Sequence, residues 1–125
     1  MPSFRVRMCF LGLAFLASCG PSLLQAPVAD LGVRQLGKAC TKGRAEACVE
    51  LGARGNAGAP DVDPGAGADA LKRGCELGVA DGCSLYGERL FYGKGVAADV
   101  AGAIAWFRRG CEGGDGGGCL KAGQI

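Results

Sequence analysis

"CELGVADGC", Cys75 to Cys83, is the stretch whose reading decides the fold. Two cysteines stand with seven residues between them. The same spacing occurs twice more, as "CTKGRAEAC" at Cys40–Cys48 and "CEGGDGGGC" at Cys111–Cys119. Eight residues of continuous helix advance about 12 Å, and eight of strand about 26 Å. A disulfide holds its Cα atoms within about 7 Å. If each pair is bonded, the chain therefore reverses between its two cysteines. The intervening residues permit this. Gly78, Asp81 and Gly82 in one copy, and Gly113, Gly114, Asp115 and Gly116 to Gly118 in another, are turn and helix-stop residues.

The flanks read as helices. "DVAGAIAWFRRG" before Cys111 has Asp99 as N-cap and Arg108 and Arg109 near its end, an order that suits the helix dipole. Ala103, Trp106 or Phe107, and Gly110 recur at helical spacing, which places the aromatic pair in a core between helices. "DPGAGADALKRG" before Cys75 has Asp63 as cap and Pro64 at the first helical position. Gly65 and Gly67 weaken it by about 1 kcal/mol each relative to alanine, so this helix is expected to be short or frayed. "SLYGERLFYG" after Cys83 reads as a short helix stopped by Gly93 or Gly95, and "ARGNAGAPDV", residues 53–62, as a loose loop.

The cysteines also set a period. Cys75 to Cys111 and Cys83 to Cys119 are 36 residues apart, and Cys40 to Cys75 are 35. Leu51-Gly52, Tyr86-Gly87 and Ala122-Gly123 keep step, as do Asp63 and Asp99. A period of this length with two helices per unit points to an all-α, short α/α-superhelical solenoid stapled by disulfides.

The segment Tyr86-Gly87, Gly93-Lys94-Gly95-Val96, Asp99, Ala103, Trp106-Phe107, Gly110-Cys111 and Gly114 resembles a Sel1-like repeat, a relative of the tetratricopeptide repeat. The paired cysteines make it similar to the cysteine-rich branch typified by the Helicobacter cysteine-rich proteins. The resemblance implies one bridge per repeat between successive helices, pairing Cys40 with Cys48, Cys75 with Cys83 and Cys111 with Cys119. It covers residues 31–125 as about two full units with flanking half units. In such superhelices the shorter first helix of a unit lines the concave face, which makes Tyr86, Arg89 and Tyr92 the expected partner contacts. Members of this branch have been labelled β-lactamases or penicillin-binding proteins, so that activity is an alternative, as is a truncated, inactive relative.

The N-terminus bears on whether thiols oxidise. "MPSFRVRMCFLGLAFLASC" has Arg5 and Arg7, then an apolar run from Met8 to Ala17, too short to cross a bilayer. Leu16-Ala17-Ser18-Cys19 resembles a bacterial lipobox, which implies a signal peptide at 1–18, a lipid on Cys19 and a tether at 19–30. Several acyl chains would hold the protein on a membrane. Gly20, where Asp would signal inner-membrane retention, favours the outer membrane of the cell envelope. Cys9 leaves with the signal and Cys19 carries lipid, so six of the eight cysteines remain, an even number in an oxidising compartment. The part from Cys19 on has twelve basic and twelve acidic side chains. No basic patch stands out, which argues against nucleic acid.

Other chemistry is poorly supplied. Zinc sites favour C-x2-C or C-x4-C spacing or histidines, and the chain has neither CxxC nor histidine, so no metal or other cofactor is expected. The absence of histidine also removes Ser-His and Cys-His nucleophile pairs. Ser22 and Ser84 lack the lysine three residues on that a serine β-lactamase requires. "GERLFYGKG", Gly87 to Gly95, has five residues where a phosphate loop has four. Asp61, Asp63 and Asp69 lack the calcium-loop pattern and read as a cap and solvated charges. The expected function is binding: a protein or peptide partner, or an envelope component, held on a helical surface.

Overall fold

The computed structural model of the chain describes residues 27–124, so Cys9, Cys19 and Ser22, with the expected signal segment, lie outside the described residues. A 3-10 turn at Val28–Asp30 precedes the helices α1 (Val33–Thr41), α2 (Ala45–Asn56), α3 (Pro64–Glu76), α4 (Ala80–Tyr92), α5 (Val100–Glu112) and α6 (Gly116–Gln124). The described residues hold no strand.

The three cysteine pairs are disulfides, with Cα atoms 4.6, 4.6 and 4.4 Å apart in chain order. Each joins the last turn of one helix to the first turn of the next. The reversal is made the same way each time. Gly43, Gly78 and Gly114 each stand three residues after the first cysteine of a pair and adopt φ of 96°, 104° and 100°. The Gly78 N–H donates to the Cys75 carbonyl at 3.0 Å, and the Val79 N–H to the Gly74 carbonyl at 3.0 Å. Gly43 and Arg44, and Gly114 and Asp115, repeat the pair of bonds. This is the Schellman closure of a helix, which needs one left-handed residue. One such residue suffices, so Gly82 and Gly116 to Gly118 lie in helices instead of turns.

Side-chain caps fix the other helix starts. The Ala66 N–H donates to Asp63 Oδ2 at 3.0 Å and the Gly102 N–H to Asp99 Oδ1 at 2.9 Å. Asp115 caps α6 in the same way through Gly118 at 3.0 Å. Gly93, at φ 69°, stops α4.

Two expectations change. The loop expected at 53–62 is shorter, because α2 continues through Asn56 and closes on Gly58 at φ 87°. Helix α3 is not frayed but runs its full length to Glu76. Its glycine is a contact point: a Cβ on Gly52 of α2 would run into Leu71 and come within 2.9 Å of the Gly67 carbonyl. The close crossing offsets the propensity penalty that glycine carries in isolation.

Successive helices pack on one another, and α2 touches α4 as α4 touches α6. Among the described residues the backbones of α1 and α3, and of α3 and α5, approach less closely, although Arg73 of α3 donates to the carbonyls of Cys40 and Thr41 at the end of α1, both at 3.2 Å. The even helices thus form the tighter, inner layer of a short superhelix. One core cluster centres on Leu36, Ala47, Cys48 and Leu51, and the next on Ala68, Leu71, Tyr86, Ala103 and Phe107.

The turn at 28–30, expected in the tether, is held to the array. Arg54 donates to the carbonyls of Leu31 at 2.6 Å, Ala29 at 3.1 Å and Val28 at 3.3 Å, while its Nε meets Glu50 at 2.9 Å.

Candidate functional site

The inner layer carries the candidate surface. Glu88, on α4, accepts a hydrogen bond from Asn56 of α2 at 3.4 Å and forms an ion pair with Lys121 of α6, so it links all three even helices. Beside this pair lies a cleft of about 250 Å³, lined by Glu88, Phe91, Tyr92, Phe107, Lys121 and Gln124. A second hollow shares Glu88 and Lys121 and adds Asp81 and Asp115. Phe107 forms the buried floor, and Lys121 Nζ stands 5.8 Å from its ring centre. Burial holds the Lys121 ammonium below its ordinary range. The cleft is apolar at its base and bordered on one side by the Glu88–Lys121 ion pair.

The three expected contact residues part company here. Tyr92 is 67% exposed and borders the cleft, with Phe91 edge-on at 4.9 Å. Tyr86 and Arg89 are buried, so a partner does not reach them. Tyr86 packs edge-on against Trp106 at 4.7 Å, in the core. Arg89 is 2% exposed and donates to the Gly52 carbonyl at 3.0 Å, while its Nε has no hydrogen-bond partner among the described residues. Its guanidinium fills the space beside Gly55 and Gly67, and burial lowers its pKa. Sequence reasoning placed the right helix on the inner layer but could not see that the glycines of α2 and α3 open a slot for a long side chain. Glu88 and Lys121 were missed. A charge on α4 and its opposite on α6, with a period linking the helices, was the available signal.

Ser84 is buried against Gly110 and Gly118, with no partner for its hydroxyl among the described residues, so it is not presented to solvent as a nucleophile. All cysteines among the described residues are bonded.

Among solved structures, the cysteine-rich protein B of Helicobacter pylori has the same fold, with a TM-score of 0.65 and 27% identity over 94% of this chain and 89% of that one. The chain has the fold of a Sel1-like repeat solenoid, closed by three disulfides. A Sel1 repeat protein from Oxalobacter formigenes superposes on the array with a TM-score of 0.65 at 21% identity, over 96% of the array and 48% of that chain. No protein-family model matches the array's sequence, and no curated protein does. The likeness lies in the arrangement of helices, and the array is a repeat scaffold by architecture.

Proposed function

We propose that the chain is an exported lipoprotein, anchored through Cys19, whose array binds a protein or peptide partner in the cell envelope. Three disulfides support an oxidising, extracytoplasmic setting. The inner-layer cleft carries the reading: an apolar base of Phe91, Tyr92 and Phe107, bordered by the Glu88–Lys121 ion pair, with Asp81 and Asp115 in the adjoining hollow. Such a surface suits a peptide segment with an apolar side chain next to a basic one. Tyr92 is the aromatic anchor and Glu88 the charge that selects.

A phage-displayed peptide library selected on the disulfide-bonded chain tests the site. Selected peptides are expected to lose at least tenfold in affinity on Tyr92→Ala and on Glu88→Lys. Unchanged affinity on both variants would move the binding surface elsewhere. The anchor is tested separately, by the mass of the mature N-terminal peptide: diacylglyceryl on Cys19 supports it, and a free or absent Cys19 refutes it.

A further inference from the structure

The Glu88–Lys121 ion pair stands as a bar across the inner-layer groove. The cleft and the adjoining hollow both contain these two side chains and share no other lining residue among those described. On one side lie Phe91, Tyr92 and Phe107, and on the other Asp81, Ser84 and Asp115. Asp81, Leu85 and Glu88 fall on one face of α4, at helical spacing. The two ends of the bar are held differently. Glu88 Oε2 accepts from Asn56 of α2 at 3.4 Å, while Lys121 takes Oε1, so the carboxylate keeps a support when the lysine leaves. Among the described residues the Lys121 ammonium meets only Glu88 and, at 5.8 Å, the ring of Phe107. Its side chain is 38% exposed, so water is its ready alternative. Loss of hydration holds the ammonium below its ordinary range and offsets part of its attraction to Glu88. The groove lies between two described helices. The matching positions on α2, Val49, Glu50 and Ala53, stay half-buried although four helices follow, so a helix pair added beyond α6 would leave this inner groove open as well.

We infer that Lys121 is a resident stand-in for the basic side chain of a peptide ligand, holding Glu88 until the ligand displaces it. The inference rests on the cleft reading proposed above and adds its regulation: the site is closed by its own cation. A ligand with an apolar side chain in the cleft brings its guanidinium or ammonium to Glu88, with Asp81 beyond it in the hollow, while Lys121 turns to water. Cleft and hollow then form one groove in which Asp81, Glu88 and Asp115 have lost their only opposing lysine. A site that must open before it binds shows an affinity reduced by the fraction of time it is open, so removing the lysine removes that reduction. The bar also selects, because a neutral ligand breaks the pair without replacing it.

The test uses acetyl-Phe-Arg-amide as probe, titrated into the disulfide-bonded full chain and followed by the ring resonances of Phe91 and Tyr92. Lys121→Met keeps the stem over Phe107 and removes the charge, and is expected to tighten probe binding about tenfold. Lys94 stands 5.9 Å from the Tyr92 ring, so Lys94→Met removes a like charge beside the cleft without breaking the pair. It is expected to change affinity by less than about twofold. Acetyl-Phe-Gln-amide is expected to gain nothing from Lys121→Met. Timed acetylation of lysines, mapped by mass, gives the second readout. Saturating probe is expected to speed acetylation of Lys121 at least threefold relative to the exposed Lys72, since a released amine reacts faster. A ligand lying over an intact pair would slow it instead. Equal affinities of the Lys121→Met and Lys94→Met chains, or slower labelling of Lys121 in the bound state, overturns the inference and leaves the cleft reading standing. Binding seen with Lys121→Met alone supports it, and binding to neither that variant nor the native chain overturns the cleft reading and the inference together.

Discussion

Arg89 shows how a single side chain is placed by what surrounds it and not by its own polarity. Its guanidinium lies in the slot left by Gly55 and Gly67, with one hydrogen bond to the Gly52 carbonyl and an Nε that has no partner among the described residues. Taking a charge out of water is costly, and truncating it leaves a void. Arg89→Ala is expected to destabilise by about 2–3 kcal/mol in urea unfolding. Arg89→Met, which keeps most of the volume and removes the charge, should cost less than about 1 kcal/mol. A methionine variant as unstable as the alanine one would show that the charge itself holds α4 to α2. The burial was not legible in the sequence, because an arginine at an inner-layer position reads as a surface charge unless the facing residues are known to be glycine. Tyr92, three residues on at the end of α4, has no such cover and remains exposed.

At the scale of the element, the reversals were legible and their mechanism was not. The cysteine spacing demands a turn, and the abundance of glycine hides which one makes it. The repeated offset of three from the first cysteine singles out Gly43, Gly78 and Gly114. Gly78→Ala forces a Cβ into the left-handed region and is expected to lower stability by about 1–2 kcal/mol, whereas Gly116→Ala, in a helix and facing open space, should be neutral or stabilising. Thermal melts of the two variants check this, and equal effects would remove the Schellman closure from the account. The caps were legible because an aspartate before a helical run has one common use. Asp99→Ala is expected to cost about 1 kcal/mol, read from the same melts. The extent of α2 and the full length of α3 were not legible, since propensity counts Gly55 and Gly67 as weak points while packing uses them as contacts.

Across the whole molecule the staples are not equivalent. In the chain-entropy description each nine-residue loop contributes about 2.5 kcal/mol, so the three together are comparable to the stability of a small domain. The cysteines of the first two bonds are buried, and Cys119 is exposed. Thiol exchange requires access to a sulfur. With a dithiol reductant and timed alkylation, Cys111–Cys119 is therefore expected to open first, with loss of the α6 helical signal before that of the rest. Simultaneous loss of all three bonds would mean that the array unfolds as one unit before any sulfur is attacked. The period, helix pairing and staples were readable from the sequence because they recur. The candidate cleft was not, because it depends on one copy only, the juxtaposition of α4 and α6.

Arg54 ties the first turn to α2, so the chain joins the array at a fixed corner, next to α1. If Cys19 carries the proposed lipid, the chain from it to Pro27 spans at most about 28 Å. Under that proposal the first unit stays near the bilayer, with the exposed side chains of Arg34, Lys38 and Lys42 within reach of anionic head groups.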